Sequence, residues 1–227
     1  MSEVSFQKSE SKFINKTLLY MALGLIITFA VSYLISTNID AVYFIYFNSG
    51  VVIGLTIIEL ALVVILTRAL SKMSTKTAIA MFITYSVING LTLGSIFIYY
   101  DLSSIISVFI VAAAMFFCCS MIGMTTKINL STIGRVAIMA VFGIIIINVL
   151  NLFMRLDGLS IMASYIGVVA FCALTAYDMQ NIKRIHNESY LYDSETVNKF
   201  AIIGALELYL DFINLFIHLL RIFGKRD

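Results

Sequence analysis

Long apolar runs separated by short polar segments dominate this chain. They fall near residues 17–35, 42–66, 77–98, 104–124, 136–154, 159–178 and 201–220. Crossing the roughly 30 Å hydrocarbon core takes about 20 residues of helix, and each run has about that length. Membrane strands would alternate in polarity over about ten residues, whereas these runs stay apolar for about twice as long. The pattern predicts an all-α, multi-pass membrane protein, a seven-transmembrane-helix bundle. Residues 1–16 are expected to form a cytosolic N-terminal tail, 17–224 a single membrane domain and 225–227 a C-terminal tail.

Composition agrees with the pattern. Of 227 residues, 61% are hydrophobic and 12% charged, with a mean hydropathy of +1.00. A soluble domain would carry roughly a quarter charged residues. The net charge of +2 comes from basic residues scattered among loops, which argues against a nucleic-acid partner and leaves membrane lipid as the expected surroundings. Cys118, Cys119 and Cys172 lie inside apolar runs, with neither a disulfide framework nor a metal-type spacing. The chain has no proline, so any hinge must use glycine or an unwound turn.

Basic residues orient the spans. Lys8, Lys12 and Lys16 precede the first run, Arg68, Lys72 and Lys76 follow the second, Lys127 and Arg135 follow the fourth, and Lys183, Arg184 and Lys199 follow the sixth. The opposite loops hold only Arg155. The positive-inside rule therefore places the N-terminus in the cytosol. Arg221, Lys225 and Arg226 follow the last run and break the rule, so that segment either crosses against the bias or re-enters the membrane.

Ionisable groups inside spans cost about 2.5 to 3.5 kcal/mol each on insertion scales and are functional candidates by default. They are Glu59 in the second run, Asp178 at the end of the sixth, and Glu207, Asp211, His218 and Arg221 in the last. In the last run Glu207, Asp211, Asn214, His218 and Arg221 recur at steps of four and three, which puts them on one helical face. A helix with one polar stripe in lipid must turn it toward protein or water, which favours a central position. Asn214 and His218 fit a structural role in interhelical bonding. Two acids one turn apart fit it poorly, because like charges repel in a low dielectric. If its helix continues past it, Asp178 could meet Asp211. The two would then titrate as a unit, a proton sensor and a candidate weak calcium site. Calcium takes six to eight oxygens, so two carboxylates would need waters, carbonyls or Glu207 as well.

The segments YDMQNIK around Asp178 and LELYLDFINLFIHLLRIFG around Asp211 resemble the paired signature of the Bax inhibitor-1 family of transmembrane proteins. The seven runs and IIELALVVIL around Glu59 also fit, so the resemblance covers essentially the whole chain. It implies a seven-helix bundle with the last helix central and a pH-sensitive calcium leak. It further implies Asp178 and Asp211 as the pH-sensing pair, Glu59 as the acid of helix two and Arg221 as the arginine of the LLR motif. Bacterial members latch the pair with an arginine near the end of helix two. Leu70 stands where that residue would align, and Arg68 is the nearest candidate. Glu207 occupies a position usually neutral in bacterial members, and a third carboxylate there would strengthen cation attraction. The wording of the motifs is closest to bacterial members, which points to a plasma (inner) membrane.

Three functions compete. The first is a calcium-permeable leak channel or slow transporter gated by protonation of Asp178 and Asp211, with calcium and protons as its partners and no cofactor. The second is a non-conducting regulator that binds another, unidentified membrane protein. The third is an enzyme, an intramembrane aspartyl protease. Tyr177-Asp178 matches its first motif, but Leu208-Tyr209-Leu210-Asp211 lacks the glycines of the second and no Pro-Ala-Leu element exists. The expectation is that the protein is not an enzyme.

Overall fold

The computed structural model describes residues 3–154, 157–188 and 192–225, all helix, single turns and short connections apart from one isolated bridge residue, Tyr100. The long helices are α1 (Glu3–Ser36), α3 (Ser49–Arg68), α4 (Thr75–Leu93), α6 (Leu102–Thr125), α7 (Ser131–Met154), α8 (Asp157–Asn187) and α9 (Ser194–Phe223). Short helices α2 (Ile39–Tyr46) and α5 (Ile96–Tyr99) lie between them. Among the described residues seven helical segments are long and apolar enough to cross a membrane. The chain is thus an all-α multi-pass integral membrane protein. In lipid no water can satisfy exposed backbone groups, so each span closes its own hydrogen bonds as helix.

Several boundaries differ from those the hydropathy pattern predicts. The run expected at 42–66 is two helices, because Asn38 and Asn48 each start a new one. Asn38 accepts a hydrogen bond from the Ala41 N–H (3.0 Å) and Asn48 one from the Gly50 N–H (3.1 Å). The run at 77–98 breaks at Gly94, where α4 ends and the single turn α5 follows. At the N-terminal end, α1 begins at Glu3 rather than at residue 17, and Phe13, Ile14 and Thr17 are buried on it. Helix α8 runs past Asp178 to Asn187, and α9 starts at Ser194, where the Asp193 carboxylate accepts bonds from the Glu195 and Thr196 N–H groups. The Thr196 hydroxyl on the same exposed carboxylate holds it below its usual range. Arg155, the basic residue assigned to the opposite loops, lies outside the described residues, as do Arg226 and Asp227 of the C-terminal tail.

The chain forms two compact units. The first contains the chain through Tyr100 together with Ile185–Tyr209; the second contains Asp101–Arg184 and the segment from Leu210 onward. In the first, α1 packs on α4 with little between them. A Cβ on Gly90 would lie 2.8 Å from the Thr28 carbonyl, and one on Gly24 2.7 Å from the Phe82 ring. Thr28 and Ser32 use that approach to donate hydrogen bonds to the Ser86 and Gly90 carbonyls, at 2.9 and 2.8 Å. Small residues and hydroxyls do this work because lipid supplies no hydrophobic force between helices. Tyr46 of α2 donates to the Leu91 carbonyl (2.5 Å), and burial pushes its phenol up to about 12.

In the second unit Phe109 and Phe116 of α6 pack edge-on against Phe212 of α9, and Phe109 also against Phe216. The end of α9 is tied to the start of α6: the Asp101 N–H donates to the Lys225 carbonyl (3.1 Å), and the Lys225 N–H to Ser104 Oγ (2.9 Å). Helix α9 is therefore one unbroken helix that ends beside the start of α6. It is also the most enclosed span, with 67% of its apolar window buried against 6% for α3.

Candidate functional site

The polar stripe of α9 has the burial its spacing requires. Asp211 is 4% exposed and His218 5%, while Glu207, Asn214 and Arg221 are half-buried. Asn214 donates to the Leu210 carbonyl of its own helix (2.8 Å), which is a structural use of the amide. His218 lies in a notch made by Gly167 of α8, where a Cβ would come within 2.4 Å of the ring, and it stacks on Phe171 with centroids 5.7 Å apart. Its Nδ1 meets no hydrogen-bond partner among the described residues. Arg221 occupies the last turn of α9, where the helix dipole favours a cation.

Asp178 of α8, half-buried, shares a side-chain hydrogen bond with Asp211. Two ionised carboxylates are acceptors only, so this bond exists when one of them carries a proton and donates its O–H to the other. The sequence-picked pair is thus brought into direct contact by the continuation of α8. Among the described residues no group of three or more His, Cys, Asp or Glu side chains forms a metal-binding cluster. The pair by itself offers two carboxyl groups, well short of a calcium coordination shell.

Glu59, in the first unit, is held differently. On α3 it is half-buried, and its Oε1 accepts from the Thr92 hydroxyl (2.5 Å) and the Asn89 amide (3.4 Å), both on α4. Asn89 Oδ1 in turn accepts from the fully buried Tyr209 hydroxyl of α9 (2.9 Å), which lies 2.6 Å from Thr28 Oγ1 of α1. One connected polar chain therefore joins four helices. Its members Asn89, Thr92, Tyr209 and Thr28 were not singled out from the sequence. The spacing of Tyr85, Asn89 and Thr92, at steps of four and three, was a readable stripe. Tyr209 was not readable, because it sits off the acidic face of α9 and stands among apolar neighbours on that helix. Glu207 is half-buried one turn before Asp211, and Arg68 is exposed in the last turn of α3.

Apolar spanning helices with enclosed ionisable groups define a multi-pass helical membrane protein that keeps titratable chemistry inside its spans. The sequence matches, over residues 10–227, the family described as inhibitor of apoptosis-promoting Bax1. It is 41% identical over 207 residues to the inner membrane protein YbhL of Escherichia coli (strain K12), covering 91% of this chain and 88% of that one. An uncharacterized protein of Borreliella burgdorferi is 39% identical over 100% of this chain and 99% of its own length. Another, from Deinococcus radiodurans, is 35% identical over 95% and 91%. The chain belongs to the Bax inhibitor-1 family.

Proposed function

We propose that this protein is a pH-sensitive calcium leak channel or slow transporter, with Asp178 and Asp211 as its proton sensor and cation site. The observation that carries the reading is the hydrogen bond between these two carboxyl groups inside a membrane-spanning unit. With one proton shared, the pair holds a single negative charge and a short contact. Losing that proton removes the donor between them and leaves two like charges in a low dielectric, which drives the carboxylates apart and attracts a cation. Two carboxyl groups fall short of the six to eight oxygens calcium takes, which suits a passing ion better than a stored one. Glu207 and Glu59 are further candidate acids for cation attraction, and Arg221 and Arg68 are the candidates for gating ion pairs. The reading needs no cofactor and no catalytic step.

The membrane we assign is a bacterial plasma membrane, supported by the inner-membrane description of the YbhL relative. The N-terminus is cytosolic on the lysine and arginine count, which puts Asp101 and the end of α9 on the outer side.

Calcium flux into liposomes containing the purified protein, measured across a pH series, tests the proposal. Flux that rises with loss of the shared proton, and loses its pH dependence in Asp178→Asn and Asp211→Asn, is the expected result. Unchanged profiles in both variants would sink it. Flux no greater than in protein-free liposomes would favour the non-conducting regulator instead.

A further inference from the structure

Two thiols in the second unit are neighbours. Cys119 of α6 and Cys172 of α8 are close enough to act on each other, whereas Cys118 is exposed, and all three are free. The backbone geometry explains the contact independently. A Cβ on Gly123 would lie 2.1 Å from the Ala176 carbonyl oxygen, so α6 and α8 press together there without any side chain between them. Gly123 and Ala176 each follow their cysteine by four residues, one helical turn, on spans that cross in the same direction. The close crossing thus holds the two thiols side by side one turn away. Short separation with facing side chains is what a disulfide needs to form without moving the backbone.

The location gives such a bond a consequence. Cys172 precedes Asp178 by six residues, about 9 Å along α8, and Asp211 is near enough to act on Cys172 electrostatically. A covalent tie between α6 and α8 at this level would restrain the helix that carries one half of the carboxyl pair. Cys119 lies near the end of α6, six residues before Thr125, which leaves it within reach of small polar oxidants.

We propose that Cys119 and Cys172 are a reversible oxidation site, closing to an intramolecular disulfide that locks α6 to α8 beside the carboxyl pair. With a hydroperoxide as oxidant the chemistry balances. One thiol, as thiolate, attacks a peroxide oxygen and becomes a sulfenic acid as hydroxide leaves. The second thiol then attacks that sulfur, the S–S bond forms and water departs. Two thiols lose two electrons and two protons, and hydrogen peroxide is reduced to two waters.

The test uses the full-length protein in lipid nanodiscs, reduced, freed of reductant and treated with hydrogen peroxide. It is then denatured, alkylated and mapped by mass spectrometry. Two thiols should become unreactive together, in a Cys119–Cys172 linked peptide that dithiothreitol restores, while Cys118 stays alkylatable. The oxidised protein should also unfold at a higher temperature than the reduced one, a shift absent from Cys119→Ser. Three alkylatable thiols after a treatment that fully oxidises a control dithiol protein would overturn the proposal, and so would a bridge through Cys118. None of these readouts depends on calcium flux, so this inference and the leak reading stand or fall separately.

Discussion

The two places where acids enter the membrane solve the same problem in opposite ways. Glu59 is given donors that bring their own protons, the Thr92 hydroxyl and the Asn89 amide, so its Oε1 can be bonded with the carboxylate ionised. Asp178 and Asp211 are given each other, and their bond exists only while a proton sits between them. The first arrangement is indifferent to pH as far as its bonding goes. The second cannot be. An acid inside a membrane protein is therefore read by what faces it: donors make it a fixed part of the packing, while a second acid makes it a switch.

The sharpest way to break this comparison is to replace each acid by its amide. Asparagine at 178 or 211 donates N–H to the remaining carboxylate without needing a shared proton. Both variants should keep the contact and lose the pH response. A single proton equilibrium shifts populations by up to about tenfold per pH unit, so the parent's flux should follow pH with that steepness and the variants' flux should be flat. Glu59→Gln should leave the profile where it is. A flat profile in Glu59→Gln would reverse the assignment of roles.

Next in size is the glycine that lets α6 approach α8, set against a glycine with open space around it. Gly123→Ala drives a methyl group into the Ala176 backbone and should cost about 1–3 kcal/mol of stability, measured by unfolding in mixed micelles. Gly143→Ala, with nothing within 4 Å of its Cβ, should be neutral or stabilising by up to about 1 kcal/mol. Equal effects at the two sites would mean that the close crossing does not bear on stability.

A smaller effect is expected in the Glu59 network. Tyr209→Phe removes the hydroxyl between Asn89 and Thr28, and interhelical hydrogen bonds in membrane proteins average about 0.6 kcal/mol. The variant should lose about that much stability in the same assay with its pH–flux profile intact. A moved profile would show that the network takes part in proton sensing.

The smallest effect is at Asp101, a carboxylate in water at the start of α6. The Ser103 hydroxyl holds it below the usual carboxylate range, helped by the neighbouring N–H groups and by Lys225. With the folded value depressed, its contribution is present above the ordinary pKa near 3.9 and is lost as pH falls through the lower folded value. Acid unfolding below about pH 4 should therefore be slightly less steep in Asp101→Asn. Any effect of this variant at neutral pH on the flux profile would show that the pH response is not confined to the carboxyl pair.

Much was legible without coordinates. The number and order of spans, the polar face of α9, the passage of α8 beyond Asp178 and the candidate pair of aspartates follow from hydropathy and from steps of three and four, which are properties of a single helix. The breaks at Asn48 and Gly94 were hidden because the residues around them are as apolar as a span, so hydropathy runs straight through the caps, whereas Asn38 falls in the gap the pattern leaves between the first two runs. The bonds between Lys225 and the start of α6, which tie the end of the last segment to another helix, have no counterpart in the hydropathy pattern.

What the chain determined by itself is local: which stretches must be helix in lipid, and which face of each is polar. What only tertiary structure decided is which polar faces meet. Tyr209 reaching Asn89, the Asp178–Asp211 contact and the adjoining thiols of Cys119 and Cys172 all depend on how far one helix slides along another. That offset is governed by where glycines let backbones approach, a property of pairs of helices that no periodicity within one of them records.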